Sequence, residues 1–394
     1  MASPLPKRHA SRYSAQKVLF EEAVAADKIV QARIGDFRLA IEPSSCTRGA
    51  YMINSFHPYK LAVLAWGAIL AGATTGAGAQ TAVKFTLDWR FEGPAAPFTV
   101  ALDKGYFKAE GLDVTIDTGN GSRESIPRVA SGTYDIGTGD VNSLIRFRDE
   151  NPSIDLKAVM MVYDRPPFAI VGRKSKGIAP DPKSLAGKKF GAPAADGAYA
   201  QWPIFKSVNS LDDSTMKFEN VGFPVREPML ASGEVDAVFG FSFSVNMNLK
   251  SRGLPVDDIV LMLMSDHGVE LYGNVLMASP KFAAEKPEAV KGFIKALTKG
   301  LRDTVADPAA ATATVIKRND VAKQDVEKER LELSLAQNFV TPWVKANGYG
   351  GIDKARFAKA IDQIGLTFKF KSKPKVEDIF TEAFLPPPAD RKIN

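Results

Sequence analysis

Short apolar stretches alternate with polar and glycine-containing ones along the first half of this chain. Five of them have the length and pattern of strands, at 83–87, 113–116, 135–139, 157–163 and 168–172. The first ends at Asp88 and Trp89, and a loop then leads to Pro94, a residue that suits the first turn of a helix. Strands that alternate with helical segments predict an α/β architecture.

One phrase occurs twice, about a hundred residues apart. The segment VASGTYDI at 129–136 returns as LASGEVDA at 230–237. In both copies a helical stretch ends at Ser-Gly, and glycine suits the left-handed position past a helix end. An Asp then opens a short apolar strand that runs into small and polar residues, and ligands of open α/β sheets bind beyond such strand ends. The repeat predicts two lobes that face one cleft; the alternative is coincidence, because the transition is common.

The second half of the chain repeats the pattern and then becomes helical. A Lys/Pro/Gly-rich stretch at 173–182 is interpreted as a linker, and strands are predicted from Lys189, at 237–239 and at 259–264. The apolar stretch 272–278 is interpreted as the return crossing to the first lobe. Pro287 opens an amphipathic helix, and Asp353 is placed to cap another one.

Composition adds little to this picture except through the charge distribution. The chain has 394 residues, is 45% hydrophobic and 24% charged, and carries a formal net charge of +6. Nine of 51 basic and five of 45 acidic residues precede Gln80, so the rest carries 42 − 40 = +2. No basic patch with interleaved aromatic residues stands out, which argues against a nucleic-acid partner.

Residues 52–79 predict export. A weakly basic start, the apolar stretch 61–71 and the small residues 77–79 before Gln80 form the pattern of a cleaved signal peptide. The alternative is an uncleaved membrane anchor, although the stretch is short for a bilayer. Residues 1–51 precede this signal and are interpreted as a doubtful N-terminal extension. The only cysteine, Cys46, lies there, so the exported chain would have no disulfide, thiolate ligand or cysteine nucleophile.

The run GYFKAEGLDV at 105–114 resembles the periplasmic solute-binding proteins of ABC importers in the nitrate/sulfonate/taurine/thiamine-precursor superfamily. The strand that ends at Trp89, the Ala-Ser-Gly-x-x-Asp phrase and the loop 192–198 agree with it. The resemblance implies a type II-like periplasmic binding protein fold, with a ligand cleft between two α/β lobes and a helical C-terminal segment. It also implies a small-molecule solute and an ABC permease in the inner membrane as partners.

These inferences divide the chain into an extension (1–51), a signal peptide (52–79), lobe 1 (80–175), lobe 2 (176–270), and a return to lobe 1 with C-terminal helices (271–394). We expect a periplasmic monomer that has no cofactor or metal.

The predicted ligand residues of the first lobe lie after its strands. Trp89, Phe91 and Glu92 form the loop after the first strand, and the resemblance implies that Trp89 is near the ligand. The alternatives are that Trp89 packs under the first helix and that Glu92 is solvated. Asp140 and Asn142 follow the third strand, where Asp140 alternatively caps the next helix.

The second lobe and the first crossing supply the other candidates. Asp196 places a carboxylate at a helix start, where the resemblance implies that sulfonate- and nitrate-binding relatives present backbone N–H groups to an anion. The remaining predicted ligand residues lie in this loop, at the matching strand end or near the crossing: Gly197, Tyr199, Gln201, Phe241, Ser242 and Tyr163. Arg165 is a candidate for holding a ligand carboxylate, with simple surface exposure as its alternative.

Three carboxylates, on Glu92, Asp140 and Asp196, favour a neutral or cationic, nitrogen-bearing and partly flat solute such as a pyrimidine. The alternative ligand is nitrate, an alkyl sulfonate or another small anion, since all three carboxylates could be structural.

Two other classes of protein compete with an importer component. One is an enzyme, because a eukaryotic relative makes the thiamine pyrimidine. The resemblance implies that such an activity would need a Cys-rich motif and a sacrificial His acting with iron. Residues 80–394 contain no Cys and one His, His267, and the phosphate-loop, zinc-protease and nucleophile-elbow motifs are missing from the sequence. The other is a ligand-sensing or docking module. We expect capture without chemical change.

Overall fold

The computed structural model describes residues 80–393. The predicted signal peptide, the N-terminal extension and Cys46 lie outside the described residues. Within 80–393, the strands form two five-stranded mixed sheets, with helices packed against them. The predicted α/β fold with two lobes is confirmed.

The two sheets have the same topology. The first has the order β2-β1-β3-β10-β4, and the second has the order β7-β6-β8-β5-β9. In each, three parallel strands are followed by an antiparallel strand, which is β10 in the first sheet and β5 in the second. The strands are β1 (Thr81–Thr86), β2 (Leu112–Asp117), β3 (Ile136–Asp140), β4 (Lys157–Met161), β5 (Phe168–Arg173), β6 (Lys189–Gly191), β7 (Lys217–Glu219), β8 (Ala237–Phe241), β9 (Ile259–Leu263) and β10 (Asn274–Ala278).

The repeated phrase marks the same place in both sheets. Its first copy joins a helix to β3 and its second copy joins a helix to β8, the middle strand of each sheet. The α-helices are α1 (Ala96–Asp103), α2 (Tyr106–Ala109), α3 (Ser122–Ala130), α4 (Val141–Glu150), α5 (Trp202–Val208), α6 (Phe223–Ser232), α7 (Ser242–Ser251), α8 (Pro280–Glu285), α9 (Pro287–Ala306), α10 (Pro308–Ile316), α11 (Gln324–Ser334), α12 (Pro342–Asn347), α13 (Lys354–Gly365) and α14 (Val376–Ile379).

The chain crosses between the sheets twice, and the first crossing is earlier than predicted. Strand β4 belongs to the first sheet and β5 to the second, so the chain crosses at 162–167. The predicted boundary at 175 would leave β5 in the first lobe, because an apolar strand carries no signal for its sheet. The stretch 173–182 only connects β5 to β6 through 3₁₀ turns. The chain returns over 264–273.

The two crossings are hydrogen-bonded to each other. Gly273 N donates to Tyr163 O at 3.0 Å, and Tyr163 N donates to Asn274 O at 2.9 Å. A Cβ at Gly273 would lie 2.7 Å from the Tyr163 Cβ, a separation that side chains do not tolerate. Glycine at this position therefore allows the close approach of the crossings.

The C-terminal segment is helical, as predicted, and packs against the first lobe. The stripe that begins at Pro287 forms α9, which buries Phe293 against Phe85 of β1 with ring centroids 5.1 Å apart. Asp353 caps α13 by accepting from Ala355 N and Arg356 N. Within residues 80–393 no helix has both the length and the apolar character needed to cross a membrane.

Candidate functional site

Two adjoining cavities lie between the lobes, where strands of both sheets end. Each has a volume of about 40 Å³, and they share Asp88, Trp89 and Phe241. The first cavity also includes Gly121, Ser122, Ala195, Asp196, Gly197, Phe223, Arg226 and Ser244. The second is lined mainly by the first lobe and its crossing, including Glu92, Phe98, Thr138, Tyr163 and Asn274, and Phe243 comes from the second lobe. Residues from both halves of the repeat thus converge on one cleft.

Asp88 lies at the base of this cleft, directly after β1. Its carboxylate accepts hydrogen bonds from Asn274 Nδ2 at 2.7 Å, Thr138 Oγ1 at 2.9 Å and Ser122 Oγ at 3.3 Å. Burial raises the pKa of Asp88, and these hydrogen bonds lower it less. No basic side chain of residues 80–393 lies within ion-pair distance of it, although buried carboxylates are ordinarily paired. Sequence reasoning placed the strand end at Asp88 but did not select it.

Trp89 lines both cavities, so its alternative place under the first helix is not the one observed. Its Nε1 donates to Glu92 Oε1 at 3.1 Å. The ring meets Phe223 of the second lobe edge-on, with centroids 4.7 Å apart. Trp89 is thus fixed at one edge and contacts the opposite lobe.

Glu92 is held between the lobes and is not solvated beside Arg90. Its Oε2 accepts from Ser244 Oγ of the second lobe at 2.7 Å and lies 3.3 Å from Arg330. Phe91 points into the packing of the first lobe and borders an outer groove, not the two cavities.

Asp140 and Asn142 occupy the start of α4 and do not line either cavity. Asp140 accepts from the backbone N–H groups of Asn142 and Ser143 at 3.1 and 2.9 Å, which is the capping alternative. Asn142 Nδ2 donates to Asp140 Oδ1 and to Tyr272 O, both at 2.7 Å. Burial raises the pKa of Asp140 in spite of these donors. Strand ends supply helix caps as well as ligand groups, and the sequence pattern is the same for both.

Asp196 and Gly197 line the first cavity, on the side of the second lobe. Asp196 Oδ1 accepts from Ala198 N at 2.8 Å and Tyr199 N at 3.0 Å, and Oδ2 lies 3.2 Å from Arg226 Nη1. Burial raises the pKa of Asp196, while Arg226 opposes that rise. The backbone donors at this helix start therefore already have a carboxylate acceptor.

The side chains of Tyr199 and Gln201 lie behind the cleft. The Tyr199 ring packs 5.0 Å from Phe239 in the aromatic core of the second lobe. Gln201 Nε2 donates to Gly197 O at 3.1 Å, and its Oε1 accepts from Arg146. The sequence offered no means of separating these residues from Gly197, because one short loop carries all of them.

Of the two predicted ligand residues at the end of β8, only Phe241 lines the cavities. Phe241 lines both cavities, with its ring centroid 6.5 Å from that of Tyr163, which lines the second. Ser242 is buried and its hydroxyl lies 3.0 Å from Gln337 Oε1. Arg165 is outside the cleft and pairs with Asp266.

Charged residues of α6 and α11 complete the surroundings, and sequence reasoning missed them. Arg226 lies between Asp196 and Glu227, and burial alone would lower its pKa, but the two carboxylates raise it. Arg330 pairs similarly with Glu327 and Glu92. The buried or nearly buried carboxylates around the cleft are Asp88, Glu92, Asp196, Glu227 and Glu327, against two arginines. With all groups ionised, this balance favours a cation or an N–H donor over an anion.

His267 lies away from the cleft, with its ring 6.1 Å from that of Phe205. In the part of the chain that the structure describes, no cluster of three or more His, Cys, Asp or Glu residues could hold a metal ion.

Comparisons with known proteins agree with this architecture. The family model described as NMT1/THI5 like matches residues 94–311. A 4-amino-5-hydroxymethyl-2-methylpyrimidine phosphate synthase of Aspergillus parasiticus is 26% identical, over 68% of this chain and 81% of the relative. The formylaminopyrimidine-binding protein of Halalkalibacterium halodurans is also 26% identical, over 82% and 96%. The periplasmic aliphatic sulphonate binding protein SsuA of Escherichia coli has a TM-score of 0.60 at 11% identity, over 76% and 92% of the two chains.

Proposed function

The chain belongs to the NMT1/THI5-like family, and from this premise we propose that it is the substrate-binding component of an ABC importer. Its solute is small, flat and nitrogen-bearing, a pyrimidine or a similar heterocycle, and it is bound without chemical change. The observation that carries the proposal is Asp88, a buried carboxylate at the base of the cleft that has no basic partner in residues 80–393.

A heterocycle with N–H groups supplies what this cleft lacks. An N–H donor or a protonated ring nitrogen would complete the acceptor capacity of Asp88 and offset the desolvation of its charge. The rings of Trp89, Phe241 and Tyr163 provide apolar walls for a flat molecule. The names of two relatives also refer to pyrimidines, since one is a formylaminopyrimidine-binding protein and the other is a synthase of a pyrimidine phosphate.

An anion fits the same cleft less well. Nitrate or an alkyl sulfonate would need the backbone donors at 198–199, and the Asp196 carboxylate accepts from both. Five carboxylates face three arginines around the cavities, namely Arg226, Arg330 and the exposed Arg90, so the excess of negative charge disfavours an anion.

The cellular setting follows from the same proposal. We place the protein in the periplasm as a monomer, after cleavage of the signal peptide near Ala79 and Gln80. It delivers its solute to a permease in the inner membrane.

The experiment that tests this function is a calorimetric titration of the full chain. The probes are 4-amino-5-hydroxymethyl-2-methylpyrimidine, nitrate and methanesulfonate. We expect the pyrimidine to bind and Asp88→Asn to weaken it tenfold to a hundredfold, because the amide carries no charge and an N–H group would face the ligand donor. Asp113→Asn, on the exposed edge of β2, is the matched control and should bind like the wild type. Binding of the anions alone would overturn the proposal.

A further inference from the structure

Arg330 is a fully charged side chain that is only 2% exposed, on a helix whose sequence gives no hint of a role at the cleft. It lies on α11, the C-terminal helix that packs both on the turn after Glu92 and on α7 of the second lobe. A buried guanidinium needs a partner for each of its donors, so its contacts define what it is there to hold.

The partners of Arg330 come from both lobes. On the second lobe, Nη1 donates to Ser244 O and Nη2 donates to Asn248 Oδ1, both at 3.0 Å. On the first lobe, Nη1 lies 3.3 Å from Glu92 Oε2. Within its own helix, Arg330 pairs with Glu327 at 2.9 Å, and Glu327 accepts from Gly93 N at 2.6 Å.

These contacts belong to a continuous polar network that runs from one wall of the cleft to the other. It begins at Trp89 Nε1, which donates to Glu92, and passes through Arg330 to Asn248. Asn248 Nδ2 donates to Glu227 at 3.2 Å, which pairs with Arg226 at 2.6 Å, and Arg226 in turn contacts Asp196. Both ends, Trp89 and Asp196, line the first cavity.

Separation of the lobes would break this polar network. Glu92 belongs to the first lobe, whereas Ser244 and Asn248 belong to α7 of the second lobe, and Arg330 contacts all three. Opening would therefore withdraw carboxylate or amide partners from a guanidinium that water reaches poorly, and it would free Glu92 from Ser244.

We propose that Arg330 is a positioning residue that fastens the two lobes in the closed state and, through Glu92, fixes the Trp89 ring against the ligand. The fastening is a property of the protein alone. Only its effect on affinity rests on the proposed function.

The first test measures the distance between the lobes without ligand. The full chain carries Cys46→Ser and spin labels at cysteines introduced by Lys295→Cys on α9 and Val256→Cys on the second lobe, both positions being exposed. Because Cys46 is the only native cysteine, labelling is specific. We expect Arg330→Met to move the distance distribution towards longer values and Arg330→Lys to move it less, since an ammonium retains the charge but not the fork of donors.

Two further variants keep the result interpretable. Lys328→Met on the same helix removes an exposed charge that pairs with Glu332, and it should leave the distribution unchanged. Ser244→Ala removes only the hydroxyl that bonds Glu92 and leaves Glu92 paired with Arg330, so no buried charge loses its ionic partner. It should open the cleft in part even if Arg330→Met folds poorly. Distributions of Arg330→Met and Ser244→Ala that match the wild type would overturn the proposal.

The second test measures affinity for 4-amino-5-hydroxymethyl-2-methylpyrimidine by calorimetry. We expect Arg330→Met to bind about tenfold more weakly and Lys328→Met to bind normally. Failure of the wild type to bind this probe would count against the proposed function, whereas the distance measurement judges the fastening role independently of it. Wild-type affinity in Arg330→Met would overturn the link between Arg330 and ligand positioning.

Discussion

At the scale of one residue, the buried Asp88 of the proposed site is expected to lower the stability of the ligand-free protein at neutral pH. Its pKa is raised by burial, so the folded protein binds a proton at this carboxyl more tightly than the unfolded chain does. The contribution of Asp88 to stability therefore falls as pH rises from the ordinary aspartate pKa through the raised one. Above that window the folded protein carries an uncompensated buried charge.

This gives a prediction of opposite effects for one substitution. Asp88→Asn should raise Tm in the absence of ligand at pH 7, and the gain over the wild type should disappear at pH below the ordinary aspartate pKa. The same variant should bind the pyrimidine probe more weakly. Thermal unfolding from pH 3 to 8 checks the first part, with Asp113→Asn as the control. If the variant is less stable than the wild type at pH 7, the hydrogen bonds to the Asp88 carboxylate offset the cost of burying its charge.

Trp89 is predicted to contribute to binding through its ring. Trp89→Ala should weaken pyrimidine binding by about tenfold to a hundredfold, a loss typical of a truncated aromatic anchor. Trp89→Phe keeps an apolar surface but loses the bond to Glu92, so it should bind with intermediate affinity. Trp343→Phe is the control, because Trp343 is a half-buried tryptophan on α12 that lines neither cavity. Calorimetry separates these outcomes, and equal affinity in Trp89→Ala would show that the cleft was assigned wrongly.

Asp196 combines three roles, so its substitution should affect more than binding. Asp196→Ala removes a helix-start acceptor, an effect of about 1 kcal/mol, and takes one of two carboxylates from the buried Arg226. We expect weaker ligand binding and a lower free energy of unfolding in urea. Asp196→Asn, which retains an acceptor for the backbone, should recover part of the stability. Local sequence pattern gives no sign of this pairing, because Arg226 is thirty residues away from Asp196.

At the scale of elements, the sequence predicted what local pattern controls. Apolar periodicity located β1, β5 and α9, and the repeated phrase located the middle strand of each sheet. The sequence pattern could not assign β5 to the second sheet, because that assignment depends on the pairing of β5 with β8 and β9, which are distant in the sequence.

The candidate site shows the same limit. Residues immediately after strands were selected as a class, and those strand ends serve both the cavities and the helix caps. Trp89 and Asp196 reached the cavities, whereas Asp140 caps α4. Arg226 and Arg330 were missed because each lies within a helix whose partners come from distant segments. Such burial becomes visible only when the lobes are assembled.

At the scale of the whole molecule, the two lobes are joined by a pair of hydrogen-bonded crossings. Gly273 and Tyr163 approach so closely that a methyl group at residue 273 would force the two segments apart. Asn274, the next residue, accepts from Val162 N and Tyr163 N through its carbonyl and donates to Asp88 through its side chain. The crossings thus support the base of the cleft as well as the relation between the lobes.

Gly273→Ala should therefore disturb closure and binding together. We expect a lower Tm, a broader ligand-free distance distribution between labels at 256 and 295, and several-fold weaker pyrimidine binding, because the displaced Asn274 no longer holds Asp88. Gly222→Ala is the matched control, since a Cβ there meets only the Pro224 ring at 3.6 Å. If Gly273→Ala lowers Tm but leaves both the distances and the affinity unchanged, the crossings hold the fold together without governing the cleft.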